Sequence, residues 1–577
     1  MFPKLNKNSI MKKTDQLIFL ALSLLIFTPM LISAQQDSGQ TDKKLLMHHE
    51  VPDDAHSPNM YENTKTSPAY SFRDDIFFTT QVNVNQFGQN ILGDAANEPS
   101  ITIDPVDPDR MAIGWRQFDN VNSNFRQAGY GYTSNGGETW VFPGVIDPGV
   151  FHSDPVLDSD LEGNLYYNSL SGDFSCFVYK IEAGSFGWDN GTYAYGGDKQ
   201  WMVIDKTGGQ GAGNIYSFWT NTYSTCPPGA FTRSANFGTS YEDCIEVDGD
   251  PYWGTMAIGP EGELYIGGSG YFNGIIVSKS TTAQNPSSQV NWDFFSQVSL
   301  DGELTGWTAV NPAGLLGQAS IAVDNSFGPG RGNVYVLASV ARNSNSDPAD
   351  VMFAKSEDGG MNWTAPMRIN DDVGTSNYQW FGTMSVAPNG RIDVVWLDTR
   401  DDNPGTYWSA LYYSYSFDQG ETWTANTMLS QAFDPHVGWP QQDKMGDYFD
   451  MISDDNCAHL AWANTINGEQ DVYYGRISQS TVATENRNDN RDFLSLTCYP
   501  VPSAGNTTIR YILNNKTDVK LAIYDLDGRE IKVLVNSVQE AGAHQIVFNV
   551  AGLQEGVYIC QLQTAGLMSS VRIVVVR

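Results

Sequence analysis

Residues 382–400, GTMSVAPNGRIDVVWLDTR, consist of an apolar run, a Pro-Asn-Gly turn and a second apolar run. Pro and Gly supply the restricted and left-handed backbone that a reversal needs, so the stretch reads as a β-hairpin. A third run, SYSFDQGETW at 414–423, follows and ends on a Gly-containing turn and Trp423. The hairpin begins again at Ser100, Ser153, Trp201, Gly254, Ala319 and Gly446, for example as SITIDPVDPDRMAIGWR from Ser100 to Arg116. These seven copies recur at intervals of roughly 45–65 residues, the period of propeller blades, and no 3.6-residue apolar stripe points to helical repeats. The expectation is an all-β propeller of six or seven blades, seven being favoured by the count. The last copy stops after its third strand, DVYYGRIS from Asp471, and the lone strand Ile76–Asn85 is able to supply the fourth and close the ring.

The chain carries 66 acidic against 33 basic residues, a net charge of −33. Such a field repels nucleic acid and anionic membrane surfaces, so nucleic-acid binding is excluded. Lys12 and Lys13 precede the apolar run Leu17–Phe27 and a small-residue cleavage site after Ala34, which reads as a secretory signal over 1–34. No other stretch is long and apolar enough to span a bilayer, and no span is expected in the mature chain. Residues 35–74 read as a polar linker, 75–480 as the repeats, 481–494 as a second linker, and 495–577 as a small Ig-like β-sandwich. All six cysteines follow Ala34 and meet an oxidising compartment. Cys226 with Cys244 and Cys498 with Cys560 are the first pairings to test, free thiols being the alternative.

The third runs carry a second signature: YTSNGGETW at 132–140, AKSEDGGMNW at 354–363, SYSFDQGETW, and a degenerate TRSANFGTSY at 232–241. These segments resemble the Asp-box (BNR) repeat, S-x-D-x-G-x-T-W, of the sialidase superfamily. Asp358 and Asp418 can accept backbone N–H groups there, Gly allows positive φ and Trp packs between layers, so these residues hold turns. The resemblance implies six blades, from which seven copies depart. It also implies an arginine cluster, an Asp acid and a Tyr nucleophile. The family's first arginine belongs to an Arg-Ile-Pro motif, but here Asn97-Glu98-Pro99 stands in its place. A carboxylate there would repel that of a sialic acid. The rest of the set would fall on Arg116, Asp119, Arg400 and Tyr448; the alternatives are surface ion pairs for the arginines and strand packing for the tyrosine.

CYPVPSAGNTTIRYIL from Cys498, LAIYDLDGREI, AGLQEGVYICQL and the terminal VRIVVVR resemble the C-terminal sorting domain of the type IX secretion system of Bacteroidota. That implies export past the outer membrane, a secreted or cell-surface location, and the secretion machinery as a partner.

Glu98, Asp154, Asp198, Asp250 and Asp443 stand just before first strands, and Trp115 near the end of a second. In a propeller these positions converge on one mouth. Two readings stand: turn and cap residues that hold loop N–H groups, or an acidic funnel for a cation, a polyhydroxyl sugar or a basic partner. Asp158-Ser-Asp160-Leu-Glu162-Gly163 imitates a calcium loop but has Ser169 where the bidentate Glu belongs, and reads as a turn. GGQGAG from Gly208 lacks the Lys-Ser/Thr of a phosphate loop. The histidines show no metal-ligand spacing, and no metal or cofactor is expected. The function expected is that of a sialidase-like propeller that binds or hydrolyses a glycan or glycoprotein; the alternative is a non-catalytic adhesion or protein-interaction propeller.

Overall fold

The computed structural model describes residues 53–57, residues 65–478 apart from 186, 271–273 and 403–404, and most of 495–577. The signal at 1–34 and the linker at 481–494 lie outside the described residues. The chain divides into two compact units, Met1–Ser480 and Thr481–Arg577. Both are all-β, and the single helical turn among the described residues is Asn221–Tyr223.

Among the described residues the first unit contains, besides two two-stranded sheets, seven larger antiparallel sheets in chain order. Their first strands are Ala95–Ile103, His152–Ser159, Trp201–Ile204, Tyr252–Ile258, Ser320–Val323, Gln379–Val386 and Asp450–Ser453. We number the sheets 1 to 7 accordingly. In each, the second and third strands follow by short turns, as the repeated hairpins require. Sheet 3 has three strands, with Ile245 bridging Phe231 where a fourth would lie. Sheet 7 is assembled from both ends of the unit: Phe77–Gln81 pairs with Asp471–Ser478, in register from Phe77↔Ile477 to Gln81↔Tyr473. The strand expected to complete the last copy therefore does so.

Each first strand packs on the next, and that of sheet 7 packs back on that of sheet 1. The apolar cores lie between successive sheets. Ala112, Leu157 and Tyr167 fill the space between sheets 1 and 2, and Val395, Leu397, Leu460 and Trp462 that between 6 and 7. A sheet buried on both faces needs apolar residues at nearly every position, which is why the strands read as continuous apolar runs. Packing is close: a Cβ on Gly114 would lie 2.4 Å from Tyr167 and 2.5 Å from Leu157.

The four signature turns close alike. Ser356 Oγ donates to Asp358, which accepts the N–H groups of Met361 and Asn362. Ser416, Asp418 and Thr422 repeat the pattern. Thr133 with Asn135, and Ser234 with Asn236, do the same with an amide for the carboxylate.

The reading of 35–74 as a linker does not hold for its described part. Thr66–Pro68 and Ser71–Arg73 pair as strands with Gln89–Ile91 and Phe77–Gln81. Residues 53–57 are anchored to sheet 1: Asp53 to Arg126, and Asp54 to Asn124 in both directions. No apolar period marks this segment because side-chain hydrogen bonds hold it.

The second unit places a three-stranded and a four-stranded sheet around one core that includes Ile509, Leu521, Phe548 and Leu562. Cys226 and Cys244 form a disulfide. Cys498 and Cys560 are free, the second pairing therefore not being made.

Candidate functional site

Within the first strand of each sheet, or just before it, stands a left-handed residue: Glu98 (φ 50°), Asp154 (48°), Lys199 (57°), Trp253 (54°), Gly317 (129°), Phe381 (57°) and Gly446 (102°). The strand register slips beside the residues of sheets 1, 2, 4 and 6. A bulge re-aims the side chain it carries. Each non-glycine residue held this way costs on the order of 1–3 kcal/mol, and strain of this kind gathers where a structure holds side chains in set directions. Here it gathers at one end of the ring.

Four of these sheets direct charges to one another. Arg116 Nε lies 3.1 Å from Glu98 and donates to Asn97 at 2.8 Å. Lys444 Nζ is 3.7 Å from Glu98 and 2.9 Å from Asp447. Lys199 Nζ lies 2.7 Å from Asp447, 3.7 Å from Asp154 and 3.8 Å from Asp198. All are buried, with Lys199 the most accessible at 11 % side-chain exposure. Burial dominates at Glu98 and pushes its carboxyl up to about 8 against the attraction of Arg116; Asp447 and Asp154 add to the rise, and Lys444 opposes it. Burial also works against ionised Asp447 and Asp154, but there the cations prevail: Lys199, Lys444 and Arg116 hold Asp447 well below its ordinary value, and Lys199 and Arg116 depress Asp154. With Glu98 protonated, three carboxylates face three cations, so burial meets no net charge.

A hairpin inserted between sheets 4 and 5, Gly306–Thr308 paired with Asn311–Leu315, caps this network. Leu315 N–H donates to Asp447 at 2.8 Å, and Asn311 bonds both Gly446 O and Met445 N–H. The hairpin carries Trp307, 39 % exposed and 6.3 Å from Trp253, whose ring meets Tyr252 at 4.8 Å. Val310 on the same hairpin offers its carbonyl to His436, whose ring meets Trp439 edge-on and Tyr407 at a tilt.

Of the residues expected from the sequence, Arg116, Glu98, Asp154 and Asp198 come together in this network. Tyr448 adjoins it: its hydroxyl donates to Pro155 O at 2.8 Å, its ring meets Trp201 edge-on, and burial, aided by Glu98 and Asp154, raises it well above its ordinary value. Asp119 is buried beneath residues 53–57, accepting from Ser57 N–H at 2.7 Å and Gln127 at 2.9 Å, with His56 Nδ1 3.0 Å away. Arg400 is held by Asp398, Asp371 and Asn426 beside sheet 6 and lies over Tyr412. Asp443 is exposed and Asp250 half-buried at the same end. Trp115 is fully buried in sheet 1 with its indole N–H donated to Gln117, and presents no surface to a ligand. Sequence reasoning missed Lys199, Lys444, Asp447, Trp253 and Trp307. The signal for the lysines was their place one residue after Asp198 and Asp443 at the start of a copy.

Residues 497–576 match the family model of the secretion system C-terminal sorting domain. Comparison with curated proteins returned no match. Among solved structures, the chain is similar to a protein of unknown function from Dyadobacter fermentans, at 13% identity over 69% of this chain and 97% of that one, TM-score 0.40. A fungal alcohol oxidase of the AA5 family in complex with copper aligns at 7% identity over 89% and 99%, TM-score 0.47. The phage phi92 endosialidase aligns at 9% over 86% and 87%, TM-score 0.37. Likeness at this level transfers no activity. Among the described residues no helix is long and apolar enough to cross a membrane. The C-terminal unit is thus a type IX secretion sorting domain, and the chain is exported to the cell surface or beyond.

Proposed function

We propose that the seven sheets are the blades of one Asp-box propeller of the sialidase-like kind, which binds a glycan at its mouth without hydrolysing it. The observation that carries this reading is that Glu98 and Asp447 share the Lys444 ammonium, at 3.7 and 2.9 Å, inside a buried network of matched charges. Glycoside hydrolysis by a carboxyl pair needs the two groups about 5–9.5 Å apart, on either side of the scissile bond. Glu98 is fully buried and Asp447 nearly so, with Lys444 against both, which leaves no room for a sugar between them. Arg116 and Arg400 are engaged by different acids, and Tyr448 donates its hydroxyl to a carbonyl, so the sialidase set is not assembled for reaction.

Binding is supported by the capping hairpin. Trp307 backed by Trp253 offers an aromatic face to the apolar side of a sugar ring, and exposed Asp443 and half-buried Asp250 offer acceptors for its hydroxyls. The test is a glycan array with the exported chain, run beside fluorogenic glycosides. Binding that falls at least about tenfold in Trp307→Ala, with no turnover, is expected. Turnover abolished by Glu98→Gln would overturn the reading.

A further inference from the structure

At the other end of sheet 7, the turn between its first two strands brings three donor atoms to one point. Asp454 Oδ2 lies 3.1 Å from His459 Nε2 and 3.7 Å from Cys457 Sγ, and that sulfur lies 3.4 Å from the same nitrogen. Cys457 and His459 are two residues apart on the strand Cys457–Asn464, so both face the same side, and both are buried. Asp454 reaches in from the turn with 44 % of its side chain exposed. Its Oδ1 accepts the N–H groups of Asn456 and Cys457, at 2.6 and 2.7 Å, which aims Oδ2 at the other two donors. Arg391 of sheet 6 holds the turn by donating to the carbonyls of Asp454 and Asp455.

A nucleophile, base and orienting acid would need the carboxylate on the imidazole nitrogen opposite the thiol. Here thiol and carboxylate converge on one nitrogen, while Nδ1 lies 2.8 Å from the Tyr474 hydroxyl. One ring nitrogen can satisfy only one of them, whereas a cation at the centre satisfies all three. Tetrahedral zinc with bonds of about 2.3 Å to sulfur and about 2.0 Å to nitrogen and oxygen sets ligand-to-ligand edges of roughly 3.5 Å for S–N and for S–O and 3.3 Å for N–O. The observed 3.4, 3.7 and 3.1 Å depart from these by about 0.1–0.2 Å.

We propose that Asp454, Cys457 and His459 bind a divalent zinc-type cation, with the fourth position open to water on the Asp454 side. Donation of His459 Nδ1–H to Tyr474 turns the Nε2 lone pair to the metal. Tyr474 packs 5.4 Å from Trp140 of sheet 1 and 6.3 Å from Phe78 of the closing strand, and a Cβ on Gly137 would meet its ring at 2.3 Å. The cation would therefore brace the seam at which the first and last sheets meet.

Cobalt(II) is the probe, because thiolate ligation gives it a near-ultraviolet charge-transfer band. The full exported chain, stripped with a chelator and titrated with Co2+, should develop that band to saturation at one equivalent and lose it on adding Zn2+. Cys457→Ser should abolish the band, and Asp454→Asn, altered at an exposed turn, should weaken binding at least about tenfold. No band in the wild-type chain at stoichiometric cobalt, or an undiminished band in Cys457→Ser, overturns the site.

Discussion

Lys199 of sheet 3 and Asp447 of sheet 7 meet at 2.7 Å, joining two sheets that are not neighbours in the ring. Both side chains are buried, and Asp154 and Asp198 also bear on the lysine. Removing one member of a buried pair leaves an uncompensated charge, at a cost of about 3–5 kcal/mol. Lys199→Met should lower the denaturant midpoint accordingly. Lys199→Met with Asp447→Asn should recover part of the loss, because the stranded carboxylate is gone.

Stability should also depend on pH through Glu98. Its folded pKa of about 8 lies above the ordinary 4.5, so the folded state holds a proton that the unfolded chain has released between those values. Stability therefore falls as pH rises through that window, by at most about 1.4 kcal/mol per pH unit for one proton. Asp94, raised to about 7, and Asp450, raised to about 6, act in the same direction. Unfolding free energies measured from pH 5 to 8 should decline, and Glu98→Gln should remove one proton's share of the slope. Asp447 and Asp154, held low, contribute the opposite sign, a loss of stability as pH falls below about 4.

Asp358 is expected to be structural alone. Its carboxylate is held down to about 2 by hydrogen bonds from Asn362, side chain and backbone, with smaller contributions from Ser356 and Met361. Asp358→Ala should cost about 1 kcal/mol, the size of a lost cap, and leave glycan binding unchanged. Thermal unfolding beside a binding titration separates the two effects.

The segment at 53–57 should loosen without unfolding the sheets. Arg126→Ala removes the partner of Asp53, a contact with one exposed member that is worth less than about 1 kcal/mol. Hydrogen exchange at Ser57 N–H, which Asp119 now accepts, should accelerate while the melting temperature moves little.

The sheets were legible because each copy announces itself twice, by apolar runs and by a turn whose residues allow few conformations. Phe77–Gln81 was legible as the strand the last copy lacked. The charge network was not, since a lysine beside an aspartate looks like solvated surface until the ring brings sheets 3 and 7 together; nothing near Lys199 in the chain announces Asp447. Glu98, Asp154, Asp198 and Arg116 were singled out by position, without Lys199 and Lys444. The Gly306–Leu315 hairpin escaped notice because it belongs to no copy. Trp115 misled because its place near a strand end says nothing of which sheet face it occupies. Asp454-x-x-Cys-x-His459 matches no familiar ligand spacing, and its convergence depends on the turn and strand pairing.

The most direct measurement is a crystal structure of the exported chain with a glycan selected from the array. The expected result is a sugar ring stacked on Trp307 above an intact Glu98–Lys444–Asp447 network. A sugar seated between Glu98 and Asp447, with the Gly306–Leu315 hairpin displaced, would contradict a binding site that performs no hydrolysis.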